Sequence, residues 1–166
     1  MAHALKAISP GGVAEANSKA ELYRLLNEPE ESESICCDVL VLEPSNQLAL
    51  RTLGLALTDQ FTGSPADRYA DAEAAFQQLT DEYERLYYLG ILHERRAKAQ
   101  LRAGRSPHTL SVLLDQAKSC YAQAEKIRPA GNDDSILRWN RCVRLLQSRS
   151  ESDWNRDYGP VETSDM

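Results

Sequence analysis

His93-Glu94 is the one place in this 166-residue chain where neighbouring side chains suggest metal or acid–base chemistry. A zinc site of the H-E-x-x-H kind needs a second histidine four positions after the first, so that both imidazoles share a helix face and the glutamate serves as base. That position is Ala97, and the motif fails. His3 and His108 lie far away in sequence. The cysteines are Cys36, Cys37, Cys120 and Cys142; two are adjacent and there is no C-x-x-C. Reduced thiols that mostly fill core space are expected, because no secretory signal is evident. The chain has no G-x-x-x-x-G-K, no G-x-G-x-x-G and no G-x-S-x-G. Phosphate cradles, dinucleotide folds and nucleophile elbows therefore have nothing to be built from. No Cys–His pair is singled out as a nucleophile. The expectation is a protein that is not an enzyme, uses no cofactor and binds no metal, with His93 packed rather than ligating.

Composition points the same way. The formal net charge is −6, with acids dense between Glu28 and Glu43 and again near the C-terminus. Such a balance does not draw nucleic acid by bulk electrostatics. The residues from Met1 to Val13 include Leu5 and Ile8, but Lys6, Pro10 and Gly11-Gly12 interrupt any apolar run, so no signal peptide is expected. A membrane helix needs about 18 or more consecutive apolar residues, and there is no such run. A cytoplasmic protein without nucleic-acid or membrane partners is expected. Ala, Leu, Glu, Arg and Gln are abundant and β-branched residues scarce, which favours an all-α fold.

The elements that must carry these residues are organised around Thr80 to Pro129. Tyr83 to Ala103 predicts one long helix, Gly104-Arg105-Ser106 a sharp break, and Pro107 to Ile127 a helix folding back, ended by Pro129. Upstream, helices are predicted over Val13–Leu26, Glu30–Leu42, Gln47–Gln60 and Ala66–Leu79. Asn27-Glu28-Pro29, Pro44-Ser45-Asn46 and Thr62-Gly63-Ser64-Pro65 separate them, since proline suits a first helical turn but not an interior. Thr80 is placed as the cap of the long helix. A last helix starts at Asn132 or Asp133 and runs through Gln147, with Ile136, Trp139, Val143 and Leu146 inward. The long helix has two apolar sides: Tyr83, Leu86, Tyr87 and Gly90 on one, Tyr88 and Leu92 roughly opposite. Either it is sandwiched or one side is left for a partner. Gly54 inside a helix costs roughly 1 kcal/mol against alanine, which close helix packing would offset.

Self-comparison shows one pattern three times: Ser32-x3-Cys36-x2-Val39-x4-Pro44, Ala72-x3-Phe76-x2-Leu79 and Ala117-x3-Tyr121-x2-Ala124-x4-Pro129. Each follows a helix with a small residue, at Ala20, Gly54 or Gly90. A small residue lets helices approach, a larger apolar one fills the gap, and proline turns the chain. Asn46, Ala49, Leu50, Leu53 and Gly54 also have counterparts at equal spacing in Asn132, Ser135, Ile136, Trp139 and Asn140. The last helix thus reads as the first half of an unfinished repeat.

The pattern resembles the tetratricopeptide repeat, best from Pro44 to Gly54 and over Ala117, Tyr121 and Ala124. It departs from that family in the Glu28-Pro29 turn and in a period longer than 34 residues in the second and third copies. The resemblance implies an α-solenoid of antiparallel helix hairpins in a right-handed superhelix. Residues 1–12 would form an N-terminal arm, 13–147 three helix pairs plus a capping helix, and 148–166 an acidic tail. It also implies a concave groove lined by first helices, with Arg51, Leu55, Tyr87, Ile91, Leu137, Arg141 and Arg144 as the partner-binding residues. Beside them stand Asn17, Glu21, Arg24, Leu48, Thr58, Glu84 and Glu94. A protein or peptide with acidic groups is the partner such a groove would hold. Family members that grip a terminal carboxylate use Lys and Asn at set positions; here those are Asn17, Glu21, Thr52, Glu84 and Tyr88, and only Asn17 fits. The alternatives are a homodimer formed through the Tyr88/Leu92 stripe or the tail, and a chaperone of the bacterial secretion type. Trp154, Asp157 and Tyr158 could complement Arg141 and Arg144, or the tail could simply be solvated.

Overall fold

The computed structural model describes residues 3–149. The tail reading, with Trp154, Asp157 and Tyr158, lies outside the described residues. Within them the fold is all-helical: a short 3₁₀ turn at Pro10–Gly12, then α1 (Val13–Leu25), α2 (Pro29–Leu42), α3 (Gln47–Asp59), α4 (Tyr69–Gln77), α5 (Glu82–Arg102), α6 (Pro107–Lys126) and α7 (Asp134–Gln147). Each helix packs on the next in the chain, and α1, α3 and α5 also touch in series.

Local chemistry sets these limits. Proline opens α2 and α6 at the first turn, where its missing N–H leaves nothing unsatisfied. The Asn46 side chain accepts from the Ala49 N–H at 2.9 Å and caps α3. Asp81, not Thr80, caps α5, accepting from the Glu84 N–H at 2.8 Å. The Thr80 N–H donates instead to Gln47 Oε1 at 2.8 Å and ties the α4–α5 turn to α3. The fourth helix is shorter than its apolar pattern predicts. Its first residues belong to a loop in which Asp67 accepts from the N–H groups of Thr62 and Gly63 at 2.9 and 2.8 Å. Those bonds hold the backbone of residues 62–67 in a non-helical turn, which the periodicity of Tyr69, Ala72 and Phe76 does not reveal.

The core is three clusters strung along the chain. Val13, Val39 and Ala49 join α1, α2 and α3. Leu50, Leu57, Ala72, Phe76 and Leu92 join α3, α4 and α5. Ile91, Leu110, Leu114, Tyr121 and Cys142 join α5, α6 and α7. The two apolar sides of α5 are therefore both used. Leu92 is fully buried and Tyr88 stacks on Phe76 with ring centroids 5.6 Å apart. The Tyr88/Leu92 stripe is thus core, not a free surface for a second copy.

Two glycines set the helix spacing. A Cβ on Gly54 would lie 2.3 Å from the Phe76 ring, and one on Gly90 would lie 2.5 Å from the Tyr121 ring. The small residue of one helix meets the aromatic of the next in both hairpins.

The thiols divide by their place on these helices. Cys36 and Cys142 are buried, Cys120 is half-buried and Cys37 is exposed. Cys37 follows Cys36 by one residue, about 100° around the helix, and so faces outward. Burial pushes the Cys36 and Cys142 thiols up to about 12, and only a thiolate attacks a disulfide reagent. In native protein an aromatic disulfide reagent should therefore label Cys37 first and Cys120 slowly. Cys36 and Cys142 should react only after denaturant is added. Rapid release from more than two thiols in the native chain would contradict this burial.

Candidate functional site

The side chains that the sequence places on a groove stand mostly on one wall, made by α1, α3 and α5. Two rows of alternating charge cross it. In the first, Arg51 on α3 lies between Glu21 on α1, at 3.9 Å, and Glu84 on α5, to which it donates at 3.1 Å. In the second the signs reverse. Asp59 on α3 accepts from Arg24 on α1 at 2.7 Å and from Arg95 on α5 at 2.6 Å. Arg95 also donates to the Thr58 hydroxyl at 2.8 Å. All six charged side chains retain contact with solvent, and each such pair contributes about 0–1 kcal/mol. Their consequence is geometric: three helices are held in register, and the single net negative charge of the first row is cancelled over the wall by the single net positive charge of the second.

Apolar and aromatic groups fill the wall between the rows. Leu55 is half-buried and packs against both larger core clusters. Tyr87 is stacked on Tyr83 at 6.0 Å and meets Tyr88 edge-on at 5.1 Å. Both Tyr83 and Tyr88 hydroxyls are pushed up by burial and stay protonated donors.

A third tie extends the wall to α7. Glu94 on α5 is 0 % exposed. Its Oε2 accepts from Lys98 at 2.7 Å and from Arg138 on α7 at 3.1 Å. Its Oε1 accepts from the Tyr121 hydroxyl at 3.3 Å and from the Cys142 thiol at 3.5 Å. Burial, then the adjacent carboxylate, push both of those donors up, so each keeps the proton it offers. One buried carboxylate thus holds α5, α6 and α7 together. His93, its neighbour, accepts or donates at Nδ1 to the Tyr69 hydroxyl at 3.1 Å, and burial holds its imidazole below the usual range. Among the described residues no group of three His, Cys, Asp or Glu side chains is placed to hold a metal.

Of the seven predicted partner-binding residues, Arg51, Leu55 and Tyr87 come together on this wall. Ile91 does not: it is buried against α6 in the core formed with Leu110 and Tyr121. Leu137, Arg141 and Arg144 lie elsewhere again, on the outward side of α7. The reason is the rotation of α7. Ser135, Arg138 and Cys142 face the body of the protein, whereas of Ile136, Trp139, Val143 and Leu146, which the sequence pattern puts inward, Leu146 packs against the core. Trp139 is instead 36 % exposed, with the Lys118 ammonium 5.6 Å from its ring centroid. Arg138 and Arg95 belong to the wall and were not signalled, because their acidic partners lie 44 and 36 residues away.

A cleft of about 490 Å³ opens at the far end of α5, between the Gly63–Asp67 loop and the start of α6. Arg96 and Arg105 line it, together with Ser64, Ser106 and Thr109. A second recess, of about 370 Å³, lies between α2 and α4 over Leu40, Leu50, Leu53 and Leu57. Searches against protein-family models, curated proteins and solved structures find no match to this chain.

Proposed function

We propose that the chain is a protein–protein interaction module of the cytoplasm, an α-solenoid of tetratricopeptide-like hairpins that holds a protein or peptide segment along the α1, α3 and α5 wall. The observation that carries this reading is the alignment of the odd-numbered helices. Two ion-pair rows bind them side by side into a continuous surface with Leu55 and Tyr87 between the rows. Contacts confined to chain neighbours and next neighbours are what stacked hairpins give. The arginines of the wall are already matched by acids, so a strongly acidic segment gains little there. A partner of mixed charge with one or two apolar anchors fits better.

A photo-crosslinking side chain at Arg51 or Leu48 tests the wall, with the same probe at exposed Val41 on α2 as control. Lysate crosslinking followed by mass spectrometry should give one species from both wall positions and none from position 41. Adducts from position 41 alone would place the interaction on the other face. A second reading, self-association, rests on Leu22 and Leu25 near the end of α1 and Leu26 just after it, all three exposed. Sedimentation at increasing concentration would then show a dimer that Leu25→Glu abolishes.

A further inference from the structure

The outer side of α7 lacks the cover that α3 receives. On α3, Leu50 and Leu57 are each 2 % exposed, because α4 lies across them. Their counterparts by spacing on α7 are Ile136 and Val143, with Trp139 matching Leu53. Ile136 and Val143 are only half-buried, and Trp139 is 36 % exposed. On a helical wheel all three lie on one flank, next to the buried Ser135/Cys142 face. An apolar flank at this position calls for a covering element, because α7 is a first helix without a second.

We propose that the chain's own C-terminal segment, residues 150–158, docks on this flank in the place that α4 takes on α3. Three observations select it over another occupant. First, order: in every other hairpin the helix that covers a first helix is the next one in the chain, with α2 starting four residues after Leu25, α6 five after Arg102 and α4 ten after Asp59, and the segment from Ser150 holds that place after α7. Second, reach: Ile136 and Trp139 lie roughly 12–17 Å back along α7 from Gln147, and six extended residues span up to about 20 Å, which brings Trp154 level with them. Third, charge: residues 150–158 hold three acidic side chains and one arginine, while the flank is bordered by Lys118, which lies over Trp139 and is paired with Asp115 at 3.5 Å, and by Arg144, which makes no ion pair among the described residues. Trp154 and Tyr158, four residues apart, supply the apolar groups. This inference rests on the stacked-hairpin reading of the fold and requires no partner on the α1, α3 and α5 wall.

The test uses the full chain with Trp139→Phe, so that Trp154 is the only indole. Trp154 emission should lie at shorter wavelength, and be quenched less by acrylamide, than in the same chain in urea. Lys118→Glu with Arg144→Glu should move both readings toward the urea values while the far-ultraviolet circular dichroism stays helical. Conversely, in the Trp154→Phe chain, ending the protein at Arg149 should increase quenching of Trp139. Native Trp154 as accessible as in urea would overturn the proposal. So would a signal that disappears on dilution, which would assign the tail to a second copy. Crosslinking at Arg51 can fail without affecting either reading.

Discussion

Truncating Phe76 to alanine should cost about 3–5 kcal/mol of folding stability, the range for removing a fully buried aromatic. The same contact predicts a penalty from the opposite change. Gly54→Ala adds one methyl where the Phe76 ring already lies 2.3 Å away. Overpacking of that kind costs about 1–3 kcal/mol. It outweighs the roughly 1 kcal/mol that alanine gains over glycine inside a helix. Because the methyl and the ring compete for one space, Gly54→Ala combined with Phe76→Leu should lose less than the sum of the single changes. Urea unfolding of the four proteins measures this directly. A Gly54→Ala protein more stable than the parent would show that α3 and α4 need not approach so closely. Gly90 and Tyr121 predict the same result one hairpin later.

Removing the Glu94 carboxylate should be nearly as damaging. Breaking a buried ion pair from one side costs about 3–5 kcal/mol when the other charge stays buried. Here Lys98 and Arg138 are 27 % and 35 % exposed and can turn toward water, which lowers the expected cost of Glu94→Ala to about 3 kcal/mol. What remains is the cavity, with the Tyr121 hydroxyl and Cys142 thiol left without an acceptor in a dry core. Glu94→Gln keeps the shape and one acceptor oxygen, and should cost about 1–2 kcal/mol. Thermal unfolding of both variants decides the matter. Equal stability of Glu94→Ala and the parent would mean that α7 docks without this carboxylate.

The helices were legible because their breaks are chemical. Pro29, Pro44, Pro107 and Pro129 each forbid an interior helical hydrogen bond, and with the Thr62–Pro65 turn they mark every break between helices except the one from α4 to α5, at residues 78–81. Gly54 and Gly90 were legible too, since an interior helical glycine needs a close neighbour to compensate it. Glu94 was not. Beside a failed zinc motif it looks like any surface acid, and Arg138 and Cys142 reach it only through the fold. The orientation of α7 was also hidden. Its apolar residues occupy more than half the wheel, so periodicity alone allowed two faces, and the buried small residues Ser135 and Cys142 carry little hydropathic signal. The wall residues were half legible: spacing put Arg51, Leu55 and Tyr87 on one side of their helices, but it could not show that α6 covers Ile91.

The confinement of contacts to chain neighbours and next neighbours bears on how the protein assembles. Among the described residues no two helices further apart in the chain than next neighbours make a substantial contact, so loop-closure entropy stays moderate and folding should be fast for the chain's length. The α5–α6 hairpin is the longest pair, with Tyr121 and Glu94 at its centre. It is the natural nucleus, and its amides should be the last to exchange with solvent. Helices α1 and α2 rest on the smallest cluster, of Val13, Val39 and Ala49. They should open first, so the N-terminal end of the α1, α3 and α5 wall is its most easily remodelled part.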